Sequence, residues 1–310
     1  MTEFELIRLL LPKLPTGPQM LLGAGDDCAI LKPCDPDQEL LFKTDSVVEN
    51  VHFTADTPPE KVGRKALARC LSDMAAMAGQ PTVALVTLGL PMGFDPAWVE
   101  RCYDGLTMLA RQYGVAIAGG ETTRSLGGAF LSISLLGVIP KGRRVLRSHA
   151  VEGDGVFVTG ELGGSIGGRH LDFEPRLAEA SWLAAHFTLH ALIDISDGLA
   201  GDLGHILIAS NVGAELFAPA IPIARVAKLR AREVVDAKPA LLAALTDGED
   251  FELLFTLPSS QAVTLADAWK KQFPLLKLSC IGRITAKSGL RLRDANGIRT
   301  LPTHGFTHFT

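Results

Sequence analysis

The chain has 310 residues, of which 47% are hydrophobic and 21% charged, so its composition excludes a disordered or fibrous protein. A chain of this length favours two domains of about 150 residues each. The formal net charge is −4 and no basic stripe is visible, which argues against nucleic acid as a partner.

The cysteines and the N-terminal segment indicate a cellular compartment. The five cysteines are scattered and form no CxxC pair, which is typical of a reducing cytoplasm. The start, MTEFELIRLL, lacks the basic leader and the cleavage site of a signal peptide. Apolar runs such as TVALVTLGLP are interrupted by Gly and Pro before they reach bilayer length. We therefore expect a soluble, cytoplasmic protein that does not bind membranes.

Apolar periodicity predicts helices and strands along the whole chain. The first half is expected to contain a helix (EFELIRLLLPKL), a strand (ELLFKTDSVV), a helix (PEKVGRKALARCLSDMAAMAG), a strand (TVALVTLGL), a helix (PAWVERCYDGLTMLARQY) and the strands VAIAG and AFLSISLLGVI. The second half is expected to contain the strand VFVTG, the helix LAEASWLAAHF, the strand ALIDIS, the helix GLAGDLGHILIAS, the strand GAELF, a helical region to about residue 245, the segment EDFELLFTL, the helix SSQAVTLADAWKKQF and the strands KLSCIGRI and LRLRD.

The segment PKGRRVLRSHAVEGDG is basic and rich in turn residues, and it interrupts the apolar pattern. We place a domain boundary there. The sequence then predicts an N-terminal α+β domain over residues 1–142 and a C-terminal α/β domain over residues 143–310. Each domain is expected to hold a mixed sheet packed with helices, so the fold class of the whole chain is α+β.

Aspartates recur at the ends of apolar runs. Buried carboxylates are costly unless they meet donors or cations, so this placement indicates one shared polyanionic site. Asp27 follows glycines in GAGDDCAIL, which fits either a metal-holding loop or a polar turn before a strand. Asp45 ends an apolar strand in KTDS, where its side chain can either project into a cleft or cap a turn.

Asp73 lies inside a helix rich in Cys, Leu, Ala and Met, at the margin of its buried stripe. One explanation is an ion pair with Arg69, four residues earlier, which would contribute about 0.3 kcal/mol. We favour a metal ligand, because Ser72 and the neighbouring alanines suggest a tightly packed polar edge.

Two further segments combine glycines with oxygen ligands. DISDGLAGDLGHI places Asp194, Ser196 and Asp197 at a strand-to-helix turn, where a helix cap would need only one of them. GGETTR places Glu121 after glycines that let the backbone approach a ligand closely. The histidines show no zinc spacing, and oxygen-rich motifs of this kind are typical of Mg²⁺ sites. The pattern therefore predicts a cage for several magnesium ions and a nucleotide.

Eight segments, taken together, resemble those of a known enzyme family. They are GAGDDCAIL, KTDSVVENVHF, KALARCLSDMAAMAGQP, GGETTR, RSHAVEGD, VTGELGGS, DISDGLAGDLGHI and DGEDFELLF. Their order and spacing resemble the thiamine-monophosphate kinases, which belong to the superfamily of aminoimidazole ribonucleotide synthetase and selenophosphate synthetase. The resemblance covers nearly the whole chain. It implies the two-domain fold of that superfamily, ATP-dependent phosphorylation of thiamine monophosphate to thiamine diphosphate, and a homodimer whose N-terminal domains pair.

The resemblance also implies roles for individual residues. The expected magnesium ligands are Asp27, Thr44, Asp45, Asp73, Glu121, Asp194 and Asp197. The expected ATP contacts are Gly120, Glu121, Arg147 and Ser196, and the expected contacts to thiamine monophosphate are His52, Glu249 and Phe306. No catalytic residue is expected beyond these groups, since in-line phosphoryl transfer needs mainly positioning and charge neutralisation. Asp26 and Asp250 are expected to shape loops rather than to bind metal.

The chain departs from the family pattern at two places. Glu121 stands where the family usually has Asp, so we expect an altered metal geometry there. The segment between GGS and DISDGL is shorter than in the family, so we expect the wall of the nucleotide-binding site to differ in shape. An ATP-dependent ligase of the aminoimidazole ribonucleotide synthetase type would share the aspartates and is the alternative function.

Overall fold

In this computed structural model, residues 20–22, 26–33 and 35–303 are described, and they form two compact units. The first unit contains the described residues up to Arg144 together with His170–Leu177. The second unit contains Val145–Arg169 and the described residues from Ala178 onward. The helix predicted for EFELIRLLLPKL lies outside the described residues.

The first unit is a six-stranded sheet with two long helices. Its strands are β1 (Met20–Leu22), β2 (Ala29–Leu31), β3 (Gln38–Val48), β4 (Gln80–Leu90), β5 (Ala116–Arg124) and β6 (Phe130–Pro140), in the order β1-β2-β3-β6-β4-β5. Its helices are α1 (Pro59–Ala76) and α2 (Pro96–Gln112). The sheet is mixed, because β4 and β5 run parallel while the other neighbours are antiparallel.

Strand β3 shows why one face of this sheet is covered and the other is open. Successive side chains of a strand point to opposite faces. Leu41 and Val47 are fully buried, whereas Phe42 is 42% and Val48 is 37% exposed. Helix α1 packs against β3 and β6, so the face with Leu41 and Val47 is the covered one.

Helices α1 and α2 approach each other closely because each contributes a glycine at the contact. A Cβ on Gly63 would lie 1.8 Å from the carbonyl oxygen of Cys102, and one on Gly105 would lie 1.9 Å from that of Glu60. Any larger residue would force the helices apart. Most of α1 is buried in consequence, including the charged residues Lys65 and Asp73.

The second unit is built on a seven-stranded sheet with the order β13-β12-β9-β11-β7-β10-β8. Its strands are β7 (Asp154–Thr159), β8 (Ala191–Asp194), β9 (Gly213–Phe217), β10 (Leu253–Pro258), β11 (Leu278–Thr285), β12 (Gly289–Asp294) and β13 (Gly297–Leu301). The helices from residue 169 onward are α3 (Arg169–Asp172), α4 (Leu177–His186), α5 (Leu199–Ser210), α6 (Arg225–Glu233), α7 (Ala240–Thr246) and α8 (Ala262–Gln272). Of these, α3 lies almost entirely in the first unit. Only β9 and β12 are parallel neighbours among these described strands. The predicted α+β fold with a mixed sheet in each unit is confirmed.

Two details differ from the expectation, and a third adds to it. Strand β5 continues through GGETTR to Arg124, whereas only VAIAG was predicted as strand. The region before residue 245 is two helices, α6 and α7, rather than one helical region. Strand β10 begins at Leu253, because Glu249 and Phe251 have φ angles of 53° and 50°, which are incompatible with a strand.

Candidate functional site

Asp27 and Asp73 form a close carboxylate pair in the first unit. Both are buried, with 4% and 7% of their surface exposed, and their carboxylate oxygens lie within 4.8 Å of each other. Lys43 Nζ lies 3.0 Å from Asp73 Oδ1. Buried like charges at this distance repel each other unless cations are near. The pair therefore fits a divalent cation that prefers oxygen ligands.

Asp45 is held ionised by an arginine. Arg69 donates from Nε to Asp45 Oδ2 at 2.9 Å and from its terminal nitrogen to Oδ1 at 3.3 Å, which is a bidentate pair. Burial raises the pKa of Asp45, but the charges of Arg69 and Lys43 outweigh it and hold the pKa below its ordinary value. Burial lowers the pKa of Lys43, yet Asp73 and Asp45 together raise it above its ordinary value. These four side chains thus form a network of two ion pairs on the helix-covered face.

The sheet separates Thr44 from this network. Thr44 neighbours Asp45 on β3, so its side chain points to the opposite face. Its hydroxyl donates to the carbonyl oxygen of Ile133 at 3.1 Å. The structure therefore does not bring the Thr44 side chain together with the carboxylate of Asp45.

Gly120 lies in the same row of the sheet as Asp45, but three strands away. Asp45 pairs with Ile133, Ile133 with Val86, and Val86 with Gly120. With about 4.8 Å between neighbouring strands, the row places Gly120 about 14 Å from Asp45 along the sheet. A Cβ on Gly120 would lie 1.8 Å from the carbonyl oxygen of Val86, so strand packing alone requires glycine here.

Glu121 is the next residue on β5 and is exposed at the edge of the sheet. Its Oε1 accepts a hydrogen bond from Thr122 N at 3.1 Å. Magnesium–oxygen bonds are about 2.1 Å long. Glu121 and Asp45 of one chain therefore lie too far apart in the sheet to bind the same ion.

His52 lies in the turn that follows β3. Its Nδ1 accepts a hydrogen bond from Val48 N at 3.1 Å, and its carbonyl oxygen accepts one from Lys65 Nζ at 2.7 Å. Lys65 is fully buried and also donates to His170 Nδ1 at 2.7 Å. This lysine links the turn, helix α1 and the segment 170–177, so the position of the predicted substrate residue His52 is fixed.

In the second unit, the structure brings two predicted ligand-binding residues together. Asp194 is 4% exposed at the end of β8, and the chain then turns through Ser196. Glu249 N donates to the carbonyl oxygen of Ser196 at 2.7 Å. Phe251 N donates to the carbonyl oxygen of Ile195, which fixes the same two loops. The predicted ATP contact Ser196 and the predicted substrate contact Glu249 are therefore neighbours.

Asp202 lies beside the predicted metal ligand Asp197 and was not singled out from the sequence. Its carboxylate accepts hydrogen bonds from the backbone nitrogens of Asp197 and Gly198, both at 3.1 Å. Ligand atoms of Asp197, Asp202 and His205 all lie within 4.8 Å of one another. Burial raises the pKa of Asp202, with further contributions from Asp197 and Asp194 and an opposing one from Arg147. The sequence feature that could have revealed Asp202 is an acidic residue inside an otherwise largely apolar helix, LAGDLGHILIAS.

Asp26 and Asp250 were expected to shape loops, and the structure gives each a local role. Asp26 Oδ1 accepts a hydrogen bond from Asp27 N at 2.9 Å. Asp250 accepts hydrogen bonds from Gly163 N at 2.9 Å and 3.0 Å and from Arg169 at 2.5 Å. Burial raises the pKa of Asp250 to about 7, despite the opposing charge of Arg169.

Two further expectations concern Phe306 and the membrane. Phe306 lies outside the described residues. None of the helices in the described part of the chain is long and apolar enough to cross a bilayer.

Known proteins resemble this chain over nearly its whole length. A family model described as "AIR synthase related protein, N-terminal domain" matches residues 25–139. The thiamine-monophosphate kinase of Rhodopirellula baltica is 37% identical over 301 residues, covering 94% of this chain and 92% of that protein. The Escherichia coli K12 enzyme of the same name is 36% identical over 311 residues, covering 93% and 92%. A structure described as "AaThiL complexed with AMPPCP and TMP" is 30% identical, covers 99% of this chain and 97% of its own, and superposes with a TM-score of 0.84.

Proposed function

This chain belongs to the thiamine-monophosphate kinase family, and we propose that it transfers the γ-phosphoryl group of ATP directly, in line, to the phosphate of thiamine monophosphate. The enzyme is thus a phosphotransferase with a phosphate group as acceptor. Its fold is of the aminoimidazole ribonucleotide synthetase type. The observation that carries the proposal is the identity of 37% to a thiamine-monophosphate kinase over 94% of the chain.

Magnesium is the metal that these residues would hold. Asp27 and Asp73 are buried, and their carboxylate oxygens lie within 4.8 Å of each other. Carboxylate oxygens are the hard ligands that Mg²⁺ prefers. We propose Asp45 in the first unit and Asp194 and Asp197 in the second as further ligands. Thr44 would bind on the opposite face of β3, and Glu121 would bind in the site of another chain. Bound Mg²⁺ would neutralise the charge of the phosphates.

The side chains of the first unit keep the acidic site charged. Arg69 forms a bidentate pair with Asp45, and Lys43 pairs with Asp73 at 3.0 Å. Because Arg69 and Lys43 keep the pKa of Asp45 low, its carboxylate is ionised at neutral pH. An ionised carboxylate is the form that binds a cation. Asp45 thus needs no loss of a proton before a metal ion binds to it.

No general base is needed for the reaction. The acceptor is a phosphate monoester that is largely ionised near neutrality, so the attacking oxygen carries no proton that must be removed. The protein positions two polyanions in line and neutralises their charge.

We assign nucleotide contacts to Gly120, Glu121, Arg147 and Ser196. Substrate contacts are assigned to His52, Glu249 and Phe306, and the bond between Glu249 N and Ser196 O supports adjacent phosphate and substrate sites.

We further propose that two chains form a homodimer through their first units. The open face of the sheet carries Phe42 and Leu85, which are 42% and 50% exposed. Strand β5 is an edge strand, and exposed apolar faces and edges of this kind are typical of interfaces. The separation of about 14 Å between Asp45 and the β5 row supports an arrangement in which Glu121 serves the site of the other chain. The scattered cysteines favour a cytoplasmic location.

A product assay tests the proposed activity. Purified protein is incubated with ATP, Mg²⁺ and thiamine monophosphate, and the products are separated by chromatography. Thiamine diphosphate and ADP should appear in equal amounts. Formation of ADP with aminoimidazole precursors, and none with thiamine monophosphate, would instead establish the ligase function.

A further inference from the structure

Residues 248–251, between α7 and β10, have a backbone conformation that few side chains adopt, and we call them the left-handed segment. The φ angles of Gly248, Glu249 and Phe251 are 72°, 53° and 50°. Residues with a Cβ rarely occupy this region, because the Cβ comes too close to the following carbonyl oxygen. Such a conformation persists only where the surrounding structure holds it. The contacts of the left-handed segment therefore determine where Glu249 lies.

One side of the left-handed segment is fixed by the backbone that follows β8. Glu249 N donates to the carbonyl oxygen of Ser196 at 2.7 Å, and Phe251 N donates to that of Ile195 at 2.8 Å. Ile195 N donates to the carbonyl oxygen of Glu252 at 2.8 Å. These bonds join the proposed substrate contact Glu249 to the proposed nucleotide contact Ser196.

The side chain of Asp250 fixes the left-handed segment to a glycine-rich loop, residues 160–168. The carboxylate of Asp250 is fully buried, and its two oxygens accept hydrogen bonds from Gly163 N at 3.0 Å and 2.9 Å. Gly163 has a φ angle of 87°, and a Cβ on it would lie 2.7 Å from Ala244 N. The loop therefore needs glycine at this position to bring its backbone to the carboxylate.

Arg169 directly follows this loop and bridges two buried carboxylates. Its Nη2 donates to Asp250 Oδ1 at 2.5 Å, and its Nη1 lies 3.5 Å from Glu252 Oε1. Glu252 is 2% exposed, and its Oε2 accepts a hydrogen bond from the hydroxyl of Thr159 at 2.7 Å. Burial raises the pKa of Asp250, and the charge of Arg169 is the strongest influence that opposes this rise. The planar guanidinium thus offsets the repulsion between Asp250 and Glu252.

Arg169 reaches the proposed ligand contacts only through these carboxylates. Within the described part of the chain, it makes no hydrogen bond or ion pair with Glu249 or Ser196. Its side chain is 36% exposed, whereas that of Asp250 is fully buried. A substitution of Arg169 therefore changes the charge next to Asp250 without leaving a large cavity in the core.

We infer that Arg169 is a positioning residue for the substrate site and acts through Asp250 and the left-handed segment. The ion pair holds Asp250 against Gly163, and Asp250 in turn holds the adjacent Glu249 in its left-handed conformation. This inference rests on the proposed function and deepens it. It names a residue that controls the affinity for thiamine monophosphate without being one of the proposed contacts.

Substitutions of Arg169 test this role by kinetics. Arg169→Gln removes the charge, so the KM for thiamine monophosphate should rise about tenfold, while kcat and the KM for ATP change less than about twofold. Arg169→Lys keeps the charge and should give a smaller rise. The matched control, Arg230→Gln, removes a charge from an exposed position of α6 and should leave all three constants unchanged.

Amide hydrogen exchange gives a readout that does not depend on turnover. The amides of Glu249 and Phe251 are hydrogen-bonded in the folded protein, so they should exchange slowly. Arg169→Gln should speed the exchange of both by at least about tenfold and leave that of Val158, in the central strand β7, unchanged. An equal acceleration at Val158 would indicate a general loss of stability and would overturn the positioning role.

Asp250→Asn weakens the same ion pair from its other partner. Asn keeps an oxygen that can accept the hydrogen bond from Gly163 N. The variant should raise the KM for thiamine monophosphate and speed exchange at Glu249 and Phe251, so it decides the question even if Arg169→Gln does not fold.

The outcomes separate this inference from the proposed function. If the wild type makes thiamine diphosphate but both variants keep its KM, the inference is overturned. Unchanged exchange at Glu249 and Phe251 also overturns it. If the wild type makes no thiamine diphosphate, the proposed function fails, whereas the exchange rates still show whether Arg169 holds the left-handed segment.

Discussion

Lys43 Nζ lies 3.0 Å from Asp73 Oδ1, so a strand lysine and a helix aspartate neutralise each other inside the first unit. The lysine projects from β3 and the aspartate from α1, and Asp27 lies within 4.8 Å of the same carboxylate. Two buried carboxylates thus lie close together, and oxygen ligands placed in this way suit a divalent cation. The first two predictions below follow from this arrangement.

Asp73→Asn should lower kcat/KM by more than about hundredfold, since even residues that only support metal ligands contribute 10–100-fold. Asn keeps the shape of the side chain, so the circular dichroism spectrum should match that of the wild type. Asp104→Asn, an exposed substitution on α2, is the control and should retain full activity. Near-native turnover by Asp73→Asn would rule out a metal-binding role for this residue.

Removal of magnesium should abolish turnover. After dialysis against a chelator, activity should fall to background and return when Mg²⁺ is added. Turnover that persists in the chelator would contradict the magnesium site.

Asp45→Asn should also abolish turnover at ordinary Mg²⁺ concentrations, because it removes one ligand charge.

Mixed dimers test whether Glu121 serves the partner's site. One chain carries Asp45→Asn, the other carries Glu121→Gln, and two different tags allow the mixed dimer to be purified. If each site takes Asp45 from one chain and Glu121 from the other, one site of the mixed dimer carries both substitutions and the second carries neither. Activity should then be about half that of the wild type. A mixed dimer as inactive as its two parents would mean that both residues act in the site of one chain.

Asp250 should make stability depend on pH. Its pKa is raised to about 7 in the folded protein, whereas an unfolded aspartate has a pKa of about 3.9. A raised carboxyl pKa stabilises the fold below the unfolded value, and this stabilisation is lost as pH rises towards 7. Relative to Asp250→Asn, the wild type should lose about 2 to 3 kcal/mol of unfolding free energy between pH 5 and pH 8. Urea unfolding at several pH values measures this, and parallel curves for the two proteins would contradict the raised pKa.

Much of the fold was predictable because apolar residues recur at the regular spacing of helices and strands. The β3 segment around Asp45 and the α1 segment around Asp73 were predicted with the right element types. The extension of β5 through GGETTR was missed, since glycines and polar residues are weak strand signals. Sequence shows neither strand order nor register, so the distance between Asp45 and Glu121 became visible only in the sheet.

Ion pairs were harder to predict than elements. The helix spacing suggested that Asp73 pairs with Arg69, but Lys43 pairs with Asp73 and Arg69 reaches Asp45. Partners that are distant in sequence meet through packing, which no local pattern reveals. Asp202 was missed for a similar reason, because its hydrogen bonds to the backbone of Asp197 and Gly198 depend on the turn geometry.

The stereochemistry at phosphorus tests the central claim of direct transfer most directly. The enzyme is given ATP whose γ-thiophosphate is chiral through oxygen isotopes, together with thiamine monophosphate, and the configuration of the terminal thiophosphate in the product is determined. In-line transfer predicts inversion at phosphorus and recovery of the label in thiamine diphosphate. Retention of configuration, or label found only in free thiophosphate, would contradict direct transfer.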